Sequence, residues 1–319
     1  MEESLSALVK FYISCCRTEG KSPATVRWYR QKLDYFVRFL MERGLARKVS
    51  EIGKREIRAF IQHLQTEVRA DENNPRKPTR ERGLSPHTVQ GYARALRAFF
   101  SWAVREGFLD ESPMKGIKMP KIPKLMMPCF MKDEVRRLLD PASHNGQFAV
   151  RNRTIAILLL DTGIRLSELT RLRMKDLHLE EGWFKVNGKG SRERNVPMGH
   201  SCRTAMWRYV AKHRPEPAAP GIDNVFLNRS GGPLSGDWIY KIISDVCRRV
   251  GIQGKRLGPH TCRHTFAKSF LMNGGDLLTL QRILGHSSLE VVGMYVDLNV
   301  KDLIEQQRQF SPVDRLNER

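Results

Sequence analysis

Two arginines, two histidines, a lysine and a tyrosine in the second half of this 319-residue chain have the types and the order to break and remake a phosphodiester. Arg165 lies in Thr162-Gly163-Ile164-Arg165-Leu166-Ser167-Glu168-Leu169, and Lys189 in Gly188-Lys189-Gly190 within a basic hairpin. His260 and Arg263 share the run His260-Thr261-Cys262-Arg263-His264. His286 ends Leu284-Gly285-His286, and Tyr295 follows nine residues later. Covalent cutting of a phosphodiester needs a nucleophile, groups that stabilise charge on a pentacoordinate phosphorus, and an acid for the departing oxygen. A tyrosine phenol, with an ordinary pKa of about 10, is a poor nucleophile at neutral pH. Guanidinium groups close by favour its ionised form and neutralise charge on the non-bridging oxygens. Arginine suits that work because its planar fork grips phosphate bidentately and keeps its proton.

Each residue alone has a plainer meaning. A lone arginine in a helix turn is usually a solvated charge, and a lone tyrosine usually a half-buried packing residue. His260 and His264 have the four-residue spacing of a helical metal pair. Cys262 between them falls on another face and no further ligand cluster lies near, so no metal site is expected. The ordered set of six carries the signal.

Together these boxes resemble those of the tyrosine recombinase, or phage-integrase, family, with the compact Xer-like members nearest. The resemblance covers nearly the full length and is strongest from Lys132 to Tyr295. It implies that Tyr295 attacks the phosphorus, that Arg165 and Arg263 clamp the phosphate, and that Lys189 protonates the departing 5′ oxygen. It also implies that His260 assists proton transfer, that His286 hydrogen-bonds a phosphate oxygen, and that Glu168 orients an arginine without entering the chemistry. The expected activity is site-specific DNA recombination through a 3′-phosphotyrosyl link and a Holliday junction. A homo-tetramer would act on two double-stranded DNA sites with no metal or cofactor, since the bond energy stays in the phosphotyrosine. Thr261 and Cys262 depart from the family's second-arginine box, and the loop at 70–84 is enlarged. Two other readings share part of the pattern. A type IB topoisomerase has the same chemistry on one duplex, but the helical first half disfavours it. A DNA-binding repressor with an idle site is disfavoured by the complete set of six.

The totals agree with a polyanion partner. Lys and Arg number 55 against 34 Asp and Glu, a net charge of +21, and nucleic acid is the default partner of such a surface. Residues 1–120 hold 23 basic and 14 acidic side chains, a net of +9, and the remainder carries +12. The excess is therefore shared by both halves, as expected of a protein that grips DNA from two sides. Six scattered cysteines without a C-x-x-C pair fit neither a disulfide framework nor a zinc ribbon. Met1-Glu2-Glu3 opens no signal sequence, and the apolar run Ile155 to Leu160 is far too short to span a bilayer. The expected location is the cytoplasm, with no membrane partner.

The elements that must hold these residues divide the chain. Residues 1–112 read as a helical, SAM-like core-binding domain, 113–128 as a linker and 129–319 as the catalytic domain. The fold class is mainly α with a small β-hairpin or sheet in the catalytic part, a two-domain DNA clamp. No separate arm-binding domain is expected ahead of the first helix, which covers Leu5 to Arg17. The second opens at Ser22-Pro23, with serine as cap and proline in the first turn. Val26, Tyr29, Leu33, Phe36, Val37 and Leu40 follow at helical spacing. A third carries Ile57, Phe60, Ile61, Leu64 and Val68, and a fourth runs from Ser85-Pro86 to near Gly107. The second and fourth are echoes: Ser22-Pro23-x-Thr25-Val26-x-x-Tyr29 recurs as Ser85-Pro86-x-Thr88-Val89-x-x-Tyr92. Core-binding domains of the family look like this, and Arg27, Arg30, Lys32, Arg94 and Arg97 are the candidate DNA contacts on their polar faces.

Four prolines and four lysines in residues 111–128 predict an extended stretch. The catalytic part begins with a helix from about Lys132 to Leu139, and another near Arg151 to Leu160 delivers Arg165. Trp183 to Val186 and Arg194 to Pro197 alternate as strands, joined by the turn Gly188-Lys189-Gly190-Ser191. The family's lysine occupies the Gly-Lys-Gly position, which selects Lys189 over Lys185, Arg192 and Arg194. Helical patterning resumes from Val246. Gly258-Pro259 precedes the helix of His260, Gly274-Gly275 ends it, Asp276 caps the next, and that one stops at Gly285. Ser287-Ser288 would cap a short helix bearing Tyr295. In the tail, Leu298, Leu303, Ile304 and Phe310 are apolar points expected to dock on a neighbouring protomer, with packing on the tail's own domain as the alternative.

Overall fold

The computed structural model describes residues 4–68, 83–122, 128–188, 193–253 and 257–285, and in the tail 304, 307, 308, 310, 311 and 313. The chain forms two compact units, Met1–Leu125 and Met126–Arg319.

The first unit is a helical bundle of α1 (Leu5–Thr18), α2 (Pro23–Glu42), α3 (Lys54–Thr66) and α4 (Pro86–Arg105). The echoed sequences fold as matched helix starts. Ser22 Oγ accepts from the Thr25 N–H at 3.2 Å, and Ser85 Oγ accepts from the Thr88 N–H at 3.2 Å. In both, proline fills the first turn, where its missing N–H costs nothing. Leu33, Phe36 and Leu40 of α2, Ile57, Phe60 and Leu64 of α3, and Leu96, Phe99 and Phe100 of α4 share one core. Edge-on aromatic contacts such as Phe36–Phe60, with ring centroids 4.9 Å apart, dominate it. The proline-rich stretch after α4 is non-helical, yet its first half is not free. Met114 and Ile117 enter the same core, Arg97 Nη2 donates to the Ile117 carbonyl at 3.1 Å, and Gln90 Nε2 donates to that of Pro120 at 3.1 Å. Prolines prevent a helix there, but apolar side chains still bury, and α4 supplies the donors that the carbonyls need.

The second unit is built around α6 (Ala149–Thr162), whose Ile155, Ala156, Leu158 and Leu159 are all buried. α10 (Pro259–Met272) and α8 (His200–Lys212) pack on it, with α5 (Lys132–Leu139) and α9 (Gly236–Arg249) at its flanks. Short α7 (Leu166–Arg171) leads to an antiparallel sheet in the order β1 (Leu177–His178), β2 (Trp183–Asn187), β3 (Glu193–Pro197). β2 and β3 pair from Trp183↔Pro197 to Asn187↔Glu193. α11 (Leu277–Leu284) starts at Asp276, whose Oδ1 accepts from the Thr279 N–H at 2.8 Å, and lies against β3. Three elements depart from the sequence reading: α8 and the two-residue strand β1 have no counterpart in it, and α9 begins ten residues before the expected Val246. Among the described tail residues, the Phe310 ring lies against Gly274 of its own unit and Ser311 is buried.

Candidate active site

Gly163 ends α6 in the left-handed conformation, φ 60°, which turns the chain sharply enough to place Arg165 at the start of α7. Glu168, one turn on, reaches back. Its Oε2 accepts from the Arg165 N–H at 2.8 Å, and its Oε1 accepts from Arg165 Nη1 at 2.9 Å. The same carboxylate takes Arg194 of β3 side-on, with Nη1 to Oε1 at 2.7 Å and Nη2 to Oε2 at 2.9 Å. Glu168 is thus a buried anion, 4% exposed, between two guanidinium groups. Burial alone would push its carboxyl up. The Arg194 pair and the Arg165 backbone and side chain together hold it below its ordinary value.

Arg263 comes from the second turn of α10 and is 4% exposed. Its Nη1 donates to the Gly163 carbonyl, and its Nη2 donates to that of Leu284 at 2.8 Å. Arg165 Nη2 donates to the Gly285 carbonyl at 3.1 Å, and Arg194 Nε to that of Ile283 at 2.7 Å. Three consecutive carbonyls at the end of α11 therefore each accept from a different arginine. Those oxygens have no partner within their own helix and carry the negative end of its dipole, so cations are favoured there.

His260 stands exposed one turn before Arg263, after Gly258, which abuts Tyr240: a Cβ on Gly258 would lie 2.5 Å from that ring. Arg165, His260, Arg263 and His264 open on a cleft of about 870 Å³, whose wall includes Ser167 and Ser235. His264 is held neutral: burial, then His260 and Arg263, push its imidazole down to about 4. Among the described residues no group of three His, Cys, Asp or Glu is placed to hold a metal ion.

Of the six residues singled out by sequence, the fold brings Arg165, His260 and Arg263 together, with Glu168 behind them. Lys189, His286 and Tyr295 lie outside the described residues. Arg194 is no member of that set and enters the sequence pattern only as a neighbour of Lys189. Its signal was available in the strand alternation, because Arg194 shares a face with Val196, which is fully buried. In the first unit, Arg27, Arg30, Arg94 and Arg97 are exposed. Arg27 and Arg30 share a basic hollow with Arg17 and Lys21. Lys32 differs: its ammonium lies 3.9 Å over the Tyr92 ring, and burial lowers its pKa.

The phage integrase family model matches residues 129–302, and the phage integrase N-terminal SAM-like domain matches residues 8–109. The chain is 30% identical to the tyrosine recombinase XerD of Listeria innocua over 292 residues, covering 88% of this chain and 98% of that one. Among solved structures it resembles the XerH recombinase bound to its palindromic difH substrate, with TM-score 0.71, 20% identity, and coverage of 92% of this chain and 81% of that one. It also resembles a lambda integrase tetramer bound to a Holliday junction, with TM-score 0.65, 16% identity, and coverage of 90% and 78%. At these identities the two structures bear on the fold alone. Match, identity and geometry converge: the chain belongs to the phage integrase family and is a tyrosine-type site-specific DNA recombinase.

Proposed function

We propose that the cleft of the second unit holds the scissile phosphate of a recombination site while Tyr295 attacks it. The tyrosine gives its proton to His260 as its oxygen forms a bond to phosphorus, the bond to the 5′ oxygen breaks, and Lys189 gives that oxygen its proton. The phosphate stays on tyrosine as a 3′-phosphotyrosyl link, and a 5′ hydroxyl from the other duplex reverses the step. Arg165 and Arg263 neutralise the phosphate oxygens, with His260 and His286 assisting. The observation that carries this reading is the meeting of Arg165, Arg263 and His260 on one cleft, with both guanidinium groups anchored to backbone carbonyls. Such preorganised donors are usually the largest single contribution to stabilising developing charge.

Residues 1–112 serve as the core-binding domain, 113–128 as the linker and 129–319 as the catalytic domain, closing on DNA as a clamp. Arg27, Arg30, Lys32, Arg94 and Arg97 are the proposed DNA contacts of the first. Four copies work on two duplexes in the cytoplasm, as the family resemblance implies. No helix of the described residues is long and apolar enough to cross a membrane.

The test is a nicked duplex site, on which the cut strand's short end diffuses away and traps the covalent adduct. The chain should give an adduct that survives denaturation, and Tyr295→Phe should bind the site equally and give none. An adduct from Tyr295→Phe at the normal yield would remove Tyr295 as nucleophile.

A further inference from the structure

We propose that Arg194 is a positioning residue for the transfer reaction: it fixes Glu168 and the end of α11 together, and through them sets the direction of Arg165. This rests on the catalytic reading above and goes beyond it, since Arg194 does not line the cleft.

Three observations carry the proposal. First, all three kinds of Arg194 nitrogen are engaged inward, Nη1 and Nη2 on the two oxygens of Glu168 and Nε on the Ile283 carbonyl. Three of the five guanidinium N–H donors are thereby spent inside the protein, on a buried carboxylate and a helix end. Second, the same two elements hold Arg165, Glu168 directly and the end of α11 through the Gly285 carbonyl, two residues beyond Ile283. Arg165 is therefore gripped at two points, and Arg194 is bonded to the same carboxylate and the same helix end. Third, Gly285 has φ 63°, and a Cβ there would stand 2.9 Å from Arg194 Cδ and 3.0 Å from its Cζ and Nε. The close approach of the Arg194 side chain requires glycine at the residue whose carbonyl receives Arg165.

Without Arg194 the buried carboxylate would face only one cation. Burial would then push its carboxyl toward protonation, and its hold on Arg165 would weaken. Lysine cannot replace Arg194, because one ammonium cannot present two parallel N–H groups to a carboxylate and a third to a carbonyl.

The experiment compares the full chain with Arg194→Ala, Arg194→Lys, Arg165→Ala and the double variant Arg165→Ala/Arg194→Ala. Single-turnover adduct formation is measured on the nicked site, together with site affinity and melting temperature. A second substrate carries a neutral methylphosphonate at the scissile position, where less charge needs neutralising. Arg194→Ala should slow cleavage of the ordinary site by at least ~10-fold, toward the ~100-fold that misplacing a group can cost. Arg194→Lys should recover little, and site affinity should stay within about threefold. The Arg194→Ala defect should nearly vanish in the Arg165→Ala background, as coupled residues require, and should shrink on the methylphosphonate. A defect of equal size on both substrates and in both backgrounds would overturn the proposal, whatever the melting temperature does. If Arg194→Ala melts too low to assay, Arg194→Lys and Arg194→Gln are put through the same comparison and judged by the same two criteria. Absence of any adduct from the unaltered chain would instead defeat the catalytic reading itself.

Discussion

Arg165 donates to the carbonyl of Gly285, 120 residues later in the chain. Arg263 does the converse and binds the carbonyl of Gly163, two residues before Arg165. Both glycines end a helix in the left-handed conformation. Each of two helix ends is thus closed by a cleft arginine from elsewhere in the sequence, so the clamp and its frame form one structure.

The two arginines should therefore differ when removed. Arg165→Ala and Arg263→Ala should each slow adduct formation by at least ~100-fold, the scale of losing one charge-stabilising donor. Arg263→Ala should also melt lower, because it strips donors from two buried carbonyls at about 1–3 kcal/mol each. Arg165, with its side chain 31% exposed, should cost less. Parallel melting and single-turnover assays check this, and equal melting temperatures would contradict it.

Gly163→Ala should damage both stability and chemistry. Its Cβ would lie 2.4 Å from Phe266 Cδ1 and 2.9 Å from Leu284 Cδ2, at a positive φ. Overpacking of this kind costs about 1–3 kcal/mol before backbone strain, so denaturant midpoint and cleavage should fall together. A variant of native stability would show that Phe266 can yield at no cost.

Two groups give pH dependences with the same sign. The folded Glu168 carboxyl lies below its ordinary value, so its contribution is present above pH ~4.3, where the unfolded carboxyl ionises. That contribution is lost as pH falls through the folded value. His264 takes up a proton near pH 6.5 when unfolded but only near about 4 when folded. Between those values the unfolded chain binds more protons, so stability declines as pH falls. Partial exposure makes this less than one proton's worth, ~1.4 kcal/mol per pH unit. Melting temperature against pH should flatten between about 6.5 and 4 in His264→Gln, and below that range in Glu168→Gln. Unaltered slopes would contradict these assignments.

Lys189→Ala should be severely slowed on an ordinary site and largely restored on one with sulfur at the 5′ bridging position, since a thiolate leaves without a proton. If wild type cleaves the sulfur substrate and the variant does not, Lys189 is not the acid.

Local signals were readable from the sequence, and long-range ones were not. The caps of α2 and α4 lie within four residues of Ser-Pro-x-Thr, and Lys132–Leu139 and the β2–β3 pairing follow from their own periodicity. α8 carries its buried Cys202, Met206 and Tyr209 at helical spacing, a pattern blurred by Trp207, which is apolar yet exposed. The start of α9 was obscured by Trp238 and Tyr240, which are apolar yet exposed. At the site, types and order picked out Arg165, His260 and Arg263. The arginine-to-carbonyl bonds join residues 89 to 120 apart in three of the cases, and no local pattern encodes such a partner. Arg194 showed only as one basic residue among several in its hairpin.

The three carbonyls at the end of α11 also bear on how the reaction responds to temperature. An unattached arginine gives up about 2 kcal/mol of rotamer freedom when it is frozen on a ligand. Arg165 and Arg263 have surrendered much of that freedom on folding, before DNA arrives. The chemical step therefore begins with little side-chain disorder left to lose, and its activation barrier should be mostly enthalpic.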